Sequence, residues 1–265
     1  RERARRGGGG ALPVHQALLR RTLAAPAAGA GPHPVTAKTG TGLNEPVTTF
    51  LAVGPMAADA GCAAIALHAR TAEQQYSGMA NWGRIAELVT AVSIPVLGNG
   101  DIWAAEHALE MMAQTGCDGV VIGRGCLGKP WLFRDLADAF ADRLIQPPPT
   151  LGGVADVMRE HARLLVEAFN DDEGMAIRDF RKHVGWYLTG YPAGGVKRRL
   201  LAMASSLTEL DALLDELDRD AVLPPESHRI PRGHLQGPKQ VTLPEHWLAT
   251  RDDPSPPDES GRARV

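Results

Sequence analysis

Residues 94–124 read IPVLGNGDIWAAEHALEMMAQTGCDGVVIGR, from Ile94 to Arg124. An apolar run closes on Gly98-Asn99-Gly100-Asp101, a helix-length stretch follows from about Ala104 to Thr115, and a second apolar run closes on Gly123-Arg124-Gly125. Short apolar runs bounded by glycine and separated by helical periodicity predict a βαβ unit with buried parallel strands. Both strands then deliver their loops to one end of the sheet. Glycines there allow close backbone approach, and exposed N–H groups beside an arginine suit a phosphate. In a (β/α)8 barrel the loops after the last two strands form the usual phosphate site. The stretch is read on that pattern.

Upstream, Pro34 to Lys38 predicts a strand with a lysine at its C-terminal end, and Ala63 to His68 a strand ending in histidine. The loop from Ala69 to Gly78 is long and rich in hydrogen-bonding side chains, as functional βα loops are. A helix starting at Pro46 is expected to kink or break at Gly54-Pro55. Strand ends recur at intervals of roughly 25–30 residues, the length of a βα repeat. Lys38, His68, Asn99 to Asp101, and Gly123 to Arg124 would therefore sit side by side on one rim. Taken singly, Lys38 also reads as a rim charge, His68 as a structural histidine and the glycine pairs as bare turns. The row favours the functional reading. Four strands are half of an eight-stranded barrel and leave two open edges, so self-association of the half barrel is one expectation.

Downstream, Pro147-Pro148-Pro149-Thr150 marks a boundary. Thr150 can cap a helix lined by Leu151, Val154, Met158, His161 and Leu165, and a second helix runs from about Met175 to Leu188. Ser206 to Glu209 fits a capping box. Arg178, Arg181, Lys182, Lys197, Arg198 and Arg199 set six cations against Asp179 alone in residues 178–199, a basic face. From Ala221 the chain is proline-rich and polar and is read as largely disordered, with Val241 to Leu248 docking locally. The expected organisation is an Arg/Gly-rich remnant with a helix (1–33), a half barrel (34–146), a helical domain (147–220) and the tail (221–265). The fold class is α/β, the C-terminal half of a (β/α)8 TIM barrel followed by a small α-helical domain.

The net charge of −3 argues against a protein that coats nucleic acid indiscriminately, while leaving room for that local basic face. Cys62, Cys117 and Cys126 are odd in number and form no CxxC pair, so neither a disulfide framework nor a metal site is expected. No apolar run is long enough to span a bilayer, and a cytoplasmic location without membrane partners is expected.

The chain resembles the tRNA-dihydrouridine synthases, in particular the bacterial group with a barrel and a C-terminal helical domain. The motifs are VTAK at Val35–Lys38, ALHART at Ala66–Thr71, QQYSG at Gln74–Gly78, PVLGNGDI at Pro95–Ile102, TGCDGVVIGRG at Thr115–Gly125, GKPWLF at Gly128–Phe133 and RKHVGWYLTGYP at Arg181–Pro192. The resemblance implies a flavoenzyme in which NADPH reduces bound FMN, hydride passes to C6 of a tRNA uracil, and a cysteine protonates C5. It implies that Lys38 and His68 contact the flavin. Asn99, Gly100, Asp101, Gly123 and Arg124 would hold the ribityl phosphate, and Arg70, Arg181, Lys182 and Arg198 would face tRNA. The family's catalytic cysteine precedes a basic, glycine-rich run matching Arg5 to Gly10, which places it a few residues before Arg1. The expectation is thus an N-terminally truncated chain, inactive alone, with no catalytic residue of its own. Gly40 stands where the family commonly has arginine, and Ala69 where it usually has glycine. The other readings are a different FMN- or phosphate-binding barrel oxidoreductase acting on a small metabolite, and a non-catalytic tRNA-binding remnant.

Overall fold

The structure, a computed structural model, describes residues 2–233, 237–253 and 255. The chain divides into two compact units. The first comprises residues 1–101, 108–122 and 234–265, and the second residues 102–107 and 123–233.

The first unit is built on a parallel four-stranded sheet in the order β1-β4-β5-β6, formed by β1 (Thr36–Gly40), β4 (Ala64–His68), β5 (Val96–Asn99) and β6 (Gly119–Val120). Between the first two lies a small antiparallel pair, β2 (Gly42–Asn44) and β3 (Val47–Thr48), whose turn is closed by Val47 N–H donating to Asn44 Oδ1 at 3.1 Å. Helices α3 (Phe50–Asp59), α4 (Gly83–Ala91) and α5 (Ala105–Thr115) connect the sheet strands. A Cβ at Gly98 would run into Met111 and Ile85, so the face carrying Gly98 and its register partner Leu67 is the helix-covered one. Ile65, Leu67, Ile85, Leu88 and Met111 are completely buried there. The opposite face is more open, and β5 alternates buried Val96 and Gly98 with half-buried Leu97 and Asn99. The apolar runs therefore correspond to strands covered by these helices on one side, whereas the sequence pattern suggested burial on both.

Three local readings change. The segment expected to be helical from Pro46 forms β3 first, and α3 runs through Pro55. Proline in that position lies on the exposed side of α3, while Phe50, Val53, Met56 and Ala57 bury the other side. The last strand stops at Val120, well short of Gly123, and Arg124–Cys126 is a 3-10 turn in the second unit. The N-terminal residues before the helix Gln16–Gly29 (α2) form a separate 3-10 segment, Gly9–Val14, after a one-turn helix, Glu2–Arg5 (α1).

The second unit is helical: α6 (Leu132–Phe140), α7 (Leu151–Ala168), α8 (Glu173–Tyr187), α9 (Gly195–Leu201) and α10 (Leu207–Asp215). Thr150 caps α7, its hydroxyl accepting from Gly153 N–H at 3.3 Å. Ser206 caps α10 by accepting from Glu209 N–H, while the Glu209 carboxylate turns to Ser205 N–H and Oγ. The core joins Val154, Met158, Ile177, Phe180, Leu201 and Leu214. The proline-rich stretch after residue 220 contributes ordered, buried side chains, Ser227 and Arg232. Arg232 donates to the carbonyl oxygens of Leu127 and Trp186, and such backbone contacts give order that composition does not reveal.

Between α7 and α8, Tyr187 Oη and His161 Nδ1 are 3.0 Å apart, and the His161 and His183 rings meet edge to face at 4.6 Å. Burial pushes both imidazoles below the ordinary histidine range, His183 to about 4, with repulsion from His161 and Lys182 adding to it. The folded chain then keeps His183 neutral while the unfolded chain takes up its proton near pH 6.5. The stability this contributes is present above pH 6.5 and is lost as pH falls toward 4. Unfolding by denaturant at pH 7 and pH 4.5 is expected to show a loss of about 2 kcal/mol from this source, after discounting for partial exposure. His183→Gln is expected to flatten that part of the profile.

Candidate functional site

Strand register sets the site. Gly40 pairs with His68, His68 with Asn99, and Lys38 with Ala66. Partners in register point to the same side of a sheet, as do residues two apart. Lys38, Gly40, His68 and Asn99 therefore share the face opposite α4 and α5, near the C-terminal strand ends.

Lys38, His68 and Arg70 line one cavity of about 550 Å³. Its other walls include the glycine-rich start of the chain (Gly9, Gly10, Pro13), Thr39, Gly40 and Gly42 with Thr49, and Thr71, Gln75 and Tyr76 of the loop after β4. Lys38 stays open to solvent through the cavity, yet lost hydration lowers its pKa from the usual lysine value. A partly desolvated ammonium gains more from an anionic or electron-rich ligand than a fully hydrated one. The loop is held by its own sequence. Thr71 N–H donates to Gln74 Oε1 at 2.9 Å and Gln74 N–H to Thr71 Oγ1 at 3.1 Å, the reciprocal arrangement of a capping box. Gln75 sits at φ 52°, a left-handed conformation uncommon for such a side chain.

Arg70 and Asp101 depart from the roles expected of them. Arg70 is 2% exposed, and its Nη2 donates to both Asp101 carboxylate oxygens at 2.9 and 2.8 Å and to the Gly78 carbonyl at 2.8 Å. Asp101 Oδ2 also accepts from Ala80 N–H at 2.7 Å. Arg70 is thus buried at the cavity wall rather than presented to a macromolecule. Asp101 is its counter-ion, a poor neighbour for a phosphate. The pair clamps the loop to the end of β5. Arg70 Nη1 is buried and has no hydrogen-bond partner among the described residues. A buried guanidinium N–H without an acceptor is costly unless a ligand or water supplies one.

Asn99 donates to the Val121 carbonyl at 2.6 Å, tying β5 to the residue after β6. Gly100 has φ 137°, and a Cβ there would lie 2.6 Å from Ala80 Cβ, so the position needs glycine. Gly123 and Arg124 belong to the second unit, where the Arg124 guanidinium lies 5.1 Å from the centre of the Trp103 ring. Of the three helical-segment cations expected to face tRNA, Arg181 Nε donates to the Ala204 carbonyl at 2.8 Å and Arg198 to the Tyr191 carbonyl, so both support their own fold. Lys182 is exposed and paired with Asp179 at 2.6 Å, a surface contact cheap to break. Arg178 and Arg199 are exposed on the same helical segments.

Cys62 and Cys117 are buried in the turns leading into β4 and β6, at the end of the sheet away from Lys38 and His68. Cys126, in the second unit, donates to the Gly123 carbonyl at 3.1 Å, and burial raises its pKa. Sequence reasoning missed Gly9, Gly10, Thr71, Gln75 and Tyr76 as cavity residues. The TxxQ spacing at Thr71 to Gln74 was the available signal for an ordered loop.

The dihydrouridine synthase family model matches residues 1–222. A probable tRNA-dihydrouridine synthase of Mycobacterium leprae (strain TN) is 52% identical over 252 residues, covering 94% of this chain and 65% of the relative. One of Mycobacterium tuberculosis (strain ATCC 25618 / H37Rv) is 51% identical over 252 residues, covering 94% and 64%. The tRNA-dihydrouridine synthase B of Xanthomonas axonopodis pv. citri (strain 306) is 36% identical over 173 residues, covering 65% of this chain and 52% of that protein. The chain spans 65% and 64% of the two mycobacterial relatives' lengths.

Proposed function

The chain belongs to the dihydrouridine synthase family, and from that premise we propose that it contributes the flavin-facing and RNA-facing parts of a cytoplasmic tRNA-dihydrouridine synthase. The reaction is reduction of the C5=C6 bond of a tRNA uridine, with FMN as cofactor and NADPH as reductant. On this reading the four-stranded sheet is half of a (β/α)8 barrel.

The observation that carries the reading is the cavity lined by Lys38, His68 and Arg70. Those residues fit FMN. The volume falls within the usual range for small-ligand sites, about 300–1,000 Å³. The cationic and imidazole groups suit a ring system with carbonyl acceptors and negative charge at its pyrimidine edge. Bound FMN supplies hydride transfer between a nicotinamide and a pyrimidine. Lys38 would oppose negative charge at the ring edge, His68 would fix the ring by hydrogen bonding, and Arg70, held by Asp101, would stiffen the wall behind them. Asn99 and Gly100 are proposed for phosphate on their motif and on the close backbone approach at Gly100. Within the second unit Gly123 and Arg124 keep the anion-binding role their motif suggests. A target uracil has to leave its stack to reach such a cavity, which its open side and the exposed Tyr76 allow.

Lys182, Arg178 and Arg199 are the proposed tRNA contacts, in preference to Arg181 and Arg198, whose head groups are used internally. No cysteine of this chain is proposed as the proton donor to C5, since Cys62 and Cys117 are buried at the wrong end of the sheet.

Titration of the protein with FMN, followed by flavin fluorescence, tests the reading. Saturable quenching is expected, and Lys38→Met is expected to weaken it about tenfold or more. A folded protein that gives no saturable signal up to roughly 100 μM FMN, a free energy of only about 5 kcal/mol, contradicts the proposal.

A further inference from the structure

Two walls of the cavity are connected by a part of the chain that contributes no lining residue. Trp247 is 4% exposed, and its Nε1 donates to the Ala11 carbonyl at 3.0 Å. The Trp247 carbonyl lies 2.6 Å from His15 Nε2, and the two rings are 3.7 Å apart at 33°. A carbonyl can only accept, so His15 Nε2 carries the hydrogen. Ala11 lies in the 3-10 segment Gly9–Val14 and His15 follows it directly. That segment supplies Gly9, Gly10 and Pro13 to the cavity. Eight residues before Trp247, Lys239 N–H donates to the Glu73 carbonyl at 2.8 Å, in the loop that forms the facing wall. The walls nearly touch at one point, where a Cβ on Gly10 would lie 3.2 Å from Ala72 Cβ.

Neither wall is a regular strand or long helix, although the loop carries its own Thr71–Gln74 hydrogen bonds and the Arg70–Asp101 clamp. The Gly7–Gly10 run carries no side chains to pack and a large backbone entropy. The loop of residues 70–78 is irregular, with Gln75 in a left-handed conformation. An external tie therefore matters most for the glycine-rich wall, where ordering the backbone carries a large entropy cost. Trp247 suits such a tie, since one side chain combines a buried apolar body with a hydrogen-bond donor.

We propose that residues 239–253 form a strap that positions both walls of the cavity, with Trp247 as the positioning residue for the glycine-rich wall and the Lys239 amide for the facing loop. Through those walls the strap sets the affinity of the cavity for a flat, anionic heteroaromatic ligand, a consequence that rests on the flavin reading. The positioning itself stands independently of it.

Amide hydrogen exchange on the full chain without ligand is the direct test, comparing wild type with Trp247→Ala, Trp247→Phe and Lys239→Pro. Trp247→Ala is expected to speed exchange at residues 11–15 by tenfold or more and to leave the strand amides 65–67 and 96–98 unchanged. Trp247→Phe keeps the stacked ring but loses the donor, and should give an intermediate acceleration. Lys239→Pro is expected to act on residues 71–76 and spare 11–15. Unchanged exchange at both walls in Trp247→Ala and Lys239→Pro overturns the strap, and so does uniform acceleration that includes the strands, which indicates global destabilisation. FMN titration of the same variants then reads the consequence, with a several-fold weaker affinity expected for Trp247→Ala. If wild type fails to bind FMN while the walls still respond selectively, the flavin reading falls and the strap remains.

Discussion

Replacing Asp101 is expected to destabilise the first unit by about 3–5 kcal/mol, because it leaves a buried guanidinium without its counter-charge. Arg70 is 2% exposed and keeps only the Gly78 carbonyl and a long contact to Ser77 once the carboxylate is gone. Ala80 N–H loses its acceptor in the same substitution if the new side chain has none. Two variants separate these contributions. Asp101→Asn retains an acceptor and tolerates the left-handed backbone at φ 56°, so its cost, about 3 kcal/mol, is mostly that of the unpaired charge. Asp101→Ala adds the lost acceptor and backbone strain, about 1–2 kcal/mol more. Combining Asp101→Asn with Arg70→Met removes the orphaned charge and should recover at least half of the loss. Denaturant unfolding measures all three. A cost under about 1 kcal/mol for Asp101→Asn would mean that Arg70 readily reaches solvent. The role first expected of Arg70, facing RNA, would then be restored.

The pairing of Arg70 with Asp101 also shows where sequence reading ran out. His68 and Asn99 were legible as neighbours because each ends an apolar run and its strand, and parallel pairing puts such ends at one edge of a sheet. Lys38, read as a strand end, lies mid-strand two residues before the end of β1 and shares their face rather than their edge. Nothing local distinguishes a strand-end carboxylate that meets a ligand from one that meets an arginine 31 residues earlier in the chain. The same limit applies to Arg181 and Arg198, whose sequence neighbourhood is basic but whose head groups satisfy carbonyls 23 and 7 residues away. His15 and Trp247 are 232 residues apart, and although Val241 to Leu248 was read as docking, nothing in the sequence named His15 as what Trp247 docks against. The caps at Thr150 and Ser206 were legible because capping is decided within four residues.

Gly128→Ala is expected to be among the most damaging single methyl additions in the second unit, costing about 4 kcal/mol or more. Gly128 has φ +60°, and a Cβ there would fall on the peptide between Trp186 and Tyr187, closer than real Cβ atoms come to anything. The obstacle is backbone in the last turn of α8, so no side chain can swing aside to make room. Relief requires moving that turn, and the Arg232 guanidinium, which bridges the carbonyls of Leu127 and Trp186, would lose one partner as it moved. Arg232 is 4% exposed, so an unsatisfied guanidinium adds to the steric cost. Gly185 provides the opposite case two residues before the same helix end. A Cβ there meets nothing within 4 Å, and the residue is exposed within α8. Gly185→Ala should stabilise by about 0.5–1 kcal/mol, through the backbone entropy that glycine loses in a helix. Denaturant unfolding of the two variants is therefore expected to shift in opposite directions. A Gly128→Ala protein within about 1 kcal/mol of wild type would show that the turn after Cys126 does not pack on α8.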